Sequence, residues 1–122
     1  MEEKRKFVRL ESPIGITYRI LTNPPIENQS VSKNISGGGI RVILKEKMLP
    51  DSALEVKINI SENDTAVSAL GEIVWQEEMV MGTDVCYETG IKFTKIAAED
   101  RDKITHYIYK VLSKRIKNPE ED

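Results

Sequence analysis

Ile14-Gly15-Ile16-Thr17-Tyr18-Arg19-Ile20 is apolar at every second position, so four apolar side chains fall on one face of an extended chain. Gly15, Thr17 and Arg19 take the other face, the pattern of a strand with one side in a core and one in water. The pattern recurs downstream. Ile40, Val42 and Leu44 share a face, and Leu54, Val56, Ile58 and Ile60 alternate with Glu55, Lys57 and Asn59. Further strands are expected over about residues 29–35, 65–77 and 84–94. Between them stand residues that stop pairing: Pro24 and Pro25, which have no N–H to donate, Pro50 with Asp51, and Asn63 with Asp64 as a hairpin turn. Gly71 inside the long strand signals a bulge or sharp coil, and Gly90 does the same in the last one. Six short strands at this spacing favour a small closed antiparallel barrel, because an open sheet would leave its edges exposed.

Both ends of the chain depart from this pattern. Residues 1–11 form an arm in which Lys4, Arg5, Lys6 and Arg9 stand against Glu2, Glu3 and Glu11; it is locally basic, has little to bury and is expected to be flexible. The barrel and its helix are assigned to residues 12–117. Over residues 97–117 the period becomes helical, with Ile104, Tyr107, Ile108, Val111, Leu112 and Ile116 on one stripe. Acidic Glu99, Asp100 and Asp102 near its start and basic Lys114, Arg115 and Lys117 near its end suit the helix dipole. Residues 118–122 are polar, include Pro119 and are expected to be disordered. The fold class is therefore all-β with a C-terminal α-helix.

A length of 122 residues favours one domain. Its 18 basic and 20 acidic residues leave a net charge of −2, so an anion must be met by a local patch rather than by the whole surface. A lone cysteine, Cys86, cannot form an intrachain disulfide and fits a reducing compartment; with one histidine, it also leaves a zinc site short of ligands. The sequence has no leader-like apolar stretch and no run approaching a membrane helix, so a cytoplasmic protein without membrane insertion is expected. Cys86 reads as a small buried thiol, His106 as a surface or boundary residue, Glu77 with Glu78 as a turn, and Trp75, beside Ile73 and Val74, as a core or barrel-end residue that could otherwise stack on a base. No nucleophile triad, phosphate loop or dinucleotide fingerprint is present, and no metal or cofactor is implied. A non-enzyme is expected. Oligonucleotide-binding barrels show exposed aromatics interleaved with Lys and Arg along the strands; here there are only seven aromatics, most at core-like positions or in the helix, so nucleic acid is not the expected partner.

Two groups of residues point to a ligand. Arg5 and Arg9 lie four apart, on one side of an extended chain and about 13 Å from each other. A guanidinium can fork onto a phosphate or onto the O6/N7 edge of guanine, and its plane can stack on a base. The alternative for this pair is a solvated charge run. The second group is Asn34-Ile35-Ser36-Gly37-Gly38-Gly39 at a strand junction. Asn34 and Ser36 point the same way and offer an amide and a hydroxyl, while glycines admit a flat ligand; the same residues would also make an ordinary hairpin.

Taken in order, Arg5-x-x-x-Arg9 and Asn34-x-Ser36-x-x-Gly39 resemble the signature of the PilZ domain, the bacterial receptor for cyclic di-GMP. Leu49-Pro50, the stretch Gly71-Glu72-Ile73-Val74-Trp75 and the stretch Gly90-Ile91-Lys92-Phe93 are similar to PilZ positions further along, so the resemblance runs from Lys4 to about Ile116. It implies a six-stranded antiparallel barrel with a C-terminal helix, binding cyclic di-GMP on the barrel's outside under the arginine arm. Carried over, Arg5 and Arg9 would hold guanine edges and phosphates, Asn34 and Ser36 would meet the Watson–Crick or sugar-facing side of a guanine, and Gly39 would keep the turn open. Where the family writes Asp or Asn, this chain has Asn34, whose amide offers one acceptor oxygen in place of two. Lys4, just before the first arginine, falls where the family sets whether one nucleotide or a stacked pair is bound. The implied function is a non-catalytic receptor that passes its signal to an unidentified downstream protein. The alternative is a PilZ-like protein-interaction module with weak or no nucleotide binding.

Overall fold

The structure, a computed structural model, describes residues 8–60 and 66–117, except the side chains of 115–117. Seven strands and one helix follow in order: β1 (Arg9–Leu10), β2 (Ile14–Ile20), β3 (Ile26–Ser36), β4 (Gly39–Leu44), β5 (Ala53–Ile58), β6 (Val67–Met81), β7 (Asp84–Ile96) and α1 (Ala98–Lys117). All pairings are antiparallel and run β3-β2-β5-β6-β7-β4, and β4 returns to β3 to close a six-stranded barrel. The short β1 pairs with β3 through Arg9↔Ser36 and Leu10↔Ile35, beyond the end of the β2 pairing. The sequence assigns residues 9 and 10 to the arm; here they form part of the barrel wall, because Leu10 turns inward and is 1% exposed. Arg5, the Asn63–Asp64 turn and the polar tail fall outside the described residues.

Inside the barrel the alternation becomes a continuous aliphatic core. Ile16, Tyr18 and Ile20 meet Ile58, Val56 and Leu54 across the β2–β5 register, with Ile14, Ile35, Val42, Leu44, Ile73, Ile91 and Phe93 filling the rest. Ile104 and Ile108 bury the apolar stripe of α1 against this cluster, with Tyr107, Val111 and Leu112 at its margin. Full burial of each large aliphatic side chain contributes about 1.5–3 kcal/mol, which is why the strands need so little help from their exposed faces. Tyr18, among the described residues the one fully buried member of the core with a polar end, donates its hydroxyl to Glu46 Oε1 at 2.6 Å, and Asn28 Nδ2 donates to the other carboxylate oxygen at 2.6 Å. Burial first, and the Glu46 bond second, push the Tyr18 hydroxyl from its ordinary 10.0 up to about 12.

The long strands depart from regular pairing where the sequence places glycines. The β6–β7 register shifts between Leu70 and Gly71, as Gly71 predicts. A second shift, between Ile73 and Trp75, leaves Val74 as the extra residue opposite Gly90. Glu77 and Glu78 are not a turn: they continue β6, paired with Glu88 and Tyr87, and the chain reverses four residues after Glu78 at Gly82, which supplies a φ of 67°. Cys86 is buried, and His106 is exposed on α1. Among the described residues no helix is long and apolar enough to cross a membrane, and no group of three His, Cys, Asp or Glu residues could hold a metal ion.

Candidate functional site

The outer faces of β3, β4, β7 and β6 lie side by side, and their registers line up two rows of side chains. In the first, Arg9 stands opposite Ser36, Ser36 opposite Gly39, Gly39 opposite Lys92 and Lys92 opposite Glu72. In the second, Asn34 stands opposite Arg41, Arg41 opposite Gly90 and Gly90 opposite Trp75. Antiparallel partners project to the same side, so these rows form one surface. Gly39 and Gly90 keep its floor low: Trp75 lies across Gly90, and Arg9, Arg41 and Lys92 stand around it. The result is an open cavity of about 400 Å³, within the range of small-ligand sites.

Three of the five residues expected from sequence to hold a ligand, Arg9, Asn34 and Ser36, line this cavity, and a fourth, Gly39, forms its floor. The fifth, Arg5, lies outside the described residues. Asn34 is 5% exposed and sits beside the β3 irregularity that falls between Ser32 and Asn34. Ser36 Oγ accepts the N–H of Gly38 at 3.1 Å, which shapes the turn and leaves the hydroxyl proton free to donate. The turn is fastened from two other places: Phe93 N–H donates to the Gly38 carbonyl at 2.9 Å, and Arg101 Nε, from the first turns of α1, donates to the Gly37 carbonyl at 3.0 Å.

Gly39 is needed for close packing. A Cβ there would run into the Ile91 carbonyl and come within 3.3 Å of Lys92 Cα, so only glycine lets β4 lie this close to the β7 backbone. Gly90 is likewise covered by Trp75, whose indole a Cβ would meet at 2.7 Å (Cε2) and 2.9 Å (Cδ1).

Sequence reasoning missed Arg41 and Lys92, and put a core or barrel-end role for Trp75 ahead of stacking on a base. Trp75 is 39% exposed and faces the cavity instead of the core. The extra residue Val74 shifts the alternation by one, so Trp75 faces outward with Val74 and only Ile73 turns into the core. Arg41 sits over the Trp75 ring, its guanidinium carbon 5.5 Å from the centroid, and Arg41 Nη2 lies 2.6 Å from Glu88 Oε2. Lys33 Nζ stands 3.5 Å from the same oxygen. The described cavity lining contains three cations, Arg9, Arg41 and Lys92, and no carboxylate, although the chain as a whole carries a net charge of −2. Locally concentrated positive charge, an exposed indole and a flat floor together suit a planar, polyanionic ligand.

Comparisons with known proteins agree with this architecture. Residues 3–110 match the family model for the PilZ domain. No protein among those with curated functions matches the sequence. Among solved structures, the inhibitor of motility MotI/DgrA of Bacillus subtilis superposes with a TM-score of 0.78 at 18% identity, over 93% of this chain and 54% of that one. YcgR of Escherichia coli in complex with c-di-GMP gives 0.75 at 9% identity, over 98% of this chain and 50% of that one. The isolated PilZ domain of YcgR with c-di-GMP gives 0.68 at 10% identity, over 97% and 99%. The chain therefore spans about half the length of MotI/DgrA and of full-length YcgR, and nearly all of the isolated domain. With the barrel closed by β3 and β4, the Asn34-x-Ser36-x-x-Gly39 motif at their junction and a family match over most of its length, this chain belongs to the PilZ domain family.

Proposed function

We propose that the chain is a non-catalytic receptor for cyclic di-GMP, bound on the outer face of the barrel over Gly39 and the Trp75 indole. The observation that carries this reading is the cavity itself: cations from three separate elements surround a glycine floor on which Arg9, Asn34 and Ser36 of the two family motifs also meet. A cyclic dinucleotide supplies what such a site can use. Its two phosphates carry the negative charge, its guanines present O6/N7 edges to arginine, and its bases have flat faces for Trp75. Asn34 and Ser36 would meet one guanine edge, and Arg5 would close from the arm alongside Arg9. The solved complexes of YcgR and of Klebsiella pneumoniae MrkH with c-di-GMP, which share this fold, support the choice of ligand.

Signalling would follow from ordering of the arm. A nucleotide that draws the residues ahead of β1, Arg5 among them, against the barrel would create a surface absent in the free protein, and a protein partner that prefers this surface would read the signal. Isothermal titration tests the binding step: micromolar or tighter binding is expected, weakened about a hundredfold in Arg9→Ala and in Arg5→Ala, since each removes a charged fork from the phosphates or a guanine edge. Undiminished binding in both variants removes the arginines from the mechanism. Absence of binding by the wild type at high ligand concentration, with a protein partner captured, favours the interaction-module reading.

A further inference from the structure

One charged cluster bordering the cavity belongs to neither family motif. Arg41 projects between Asn34 and Gly90 on the second row, held from one side by Glu88 and backed by the Trp75 ring. The hold is electrostatic more than directional. Among the described residues neither the buried Arg41 Nε nor Glu88 Oε2 has a hydrogen-bond partner, so the guanidinium keeps donor capacity that its carboxylate does not use. Glu88 also has a second cation within reach: Lys33 Nζ lies 3.5 Å from the oxygen that Arg41 contacts. The carboxylate is only 12% exposed, and stripping it of all cations would be costly; with Lys33 in place, Arg41 can leave without that cost.

We propose that Arg41 is a further ligand-binding residue of this cavity, exchanged from Glu88 to the anionic ligand, so that Glu88 sets the affinity by competing for it. This rests on the reading that the cavity takes cyclic di-GMP. A dianion seated over Gly39 and the Trp75 indole lies next to Arg41, and it offers phosphate oxygens or a guanine edge that match the planar fork better than a single carboxylate oxygen does. Trp75 keeps the guanidinium over its ring while the charge is exchanged from the carboxylate to the ligand.

Titration of cyclic di-GMP into the full chain, with melting curves confirming that each variant is folded, tests the exchange. Arg41→Gln is expected to bind about tenfold more weakly than the wild type, and Arg41→Lys to fall between them, keeping the charge but losing the fork. Glu88→Gln is expected to bind roughly two- to fivefold more tightly, because the competitor is gone. In the Arg41→Gln background Glu88→Gln should confer no tightening. Trp75 is the only tryptophan of the chain, so its fluorescence reports on the same residues: the unliganded Glu88→Gln variant should already shift from the wild-type emission. Arg41→Gln binding like the wild type, while Arg9→Ala loses binding, overturns this inference and leaves the receptor reading intact. Tightening by Glu88→Gln in the absence of Arg41 also overturns it, since Glu88 would then act by simple repulsion. A wild type that binds no cyclic di-GMP overturns both.

Discussion

Ile40, Val42 and Leu44 on one side of β4 and Gly39, Arg41 and Ile43 on the other come from the same six residues but answer to different constraints. The first three are at most 4% exposed and are interchangeable in kind: any well-packed aliphatic of similar volume would serve. On the outer face the identities matter one by one. Gly39 is fixed by the β7 backbone against it, and Arg41 is placed by its register with Asn34 and Gly90. The inward face stores stability, and the outward face arranges charge around a floor. A strand's two-residue period lets the two be altered independently, and this separation can be attacked from either side.

The largest effect should come from placing a charge on the wrong face. Val42→Asp buries a carboxylate without a partner and is expected to cost at least about 4 kcal/mol, a large share of a small domain's stability, whereas Ile43→Asp one residue on should cost less than about 1.5 kcal/mol. Urea unfolding of the pair measures the difference, and similar losses would contradict the division between faces. Next in size is a pH effect confined to the inner face. Tyr18 ionises near 10.0 in the unfolded chain and near 12 in the fold, so the stabilisation is complete below pH 10 and is lost as pH rises toward 12. At pH 11 the loss is about 1.4 kcal/mol. Tyr18→Phe removes this group, so its stability should decline less between pH 9 and pH 11 than the wild type's; parallel curves would refute the assignment. The smallest stability change is expected on the outer face, at Gly90→Ala. The new methyl meets a side chain, Trp75, which can shift, so the melt should move by less than about 1 kcal/mol. Cyclic di-GMP binding should nonetheless weaken tenfold or more, because the methyl stands in the floor and displaces the indole. Equal effects on melting and binding would blur the comparison.

What the sequence made legible follows the same division. The Ile14–Ile20 strand lies where its alternation places it, and Gly71 marks a real irregularity, because burial on one face writes a period that can be read without knowing the neighbours. Arg9, Asn34, Ser36 and Gly39 were also readable, since their motifs are local. Trp75 was misplaced because the bulge at Val74 inverts the alternation, and a bulge has no side-chain signature of its own. The outer end of the β6–β7 hairpin was missed for a related reason: Glu77, Glu78, Val80 and Met81 are all exposed, so backbone pairing holds a stretch of β6 whose own side chains show no buried face. Arg41 and Lys92 needed the closure of the barrel. Each reads as an outward-facing residue of its own strand, and only the pairing of β4 with β7 brings them to one cavity.

The Ser36-Gly37-Gly38 turn is fastened at Gly38 by the β7 backbone and at Gly37 by the side chain of Arg101. A corner held this way resists moving alone: a tug on its carbonyls is felt at once in the last strand and at the head of α1, sixty-four residues away along the chain but one hydrogen bond away in space. The helix is thereby placed to register what happens at the corner, while the far tip of the β6–β7 ribbon, which shares none of these fastenings, is left a bystander.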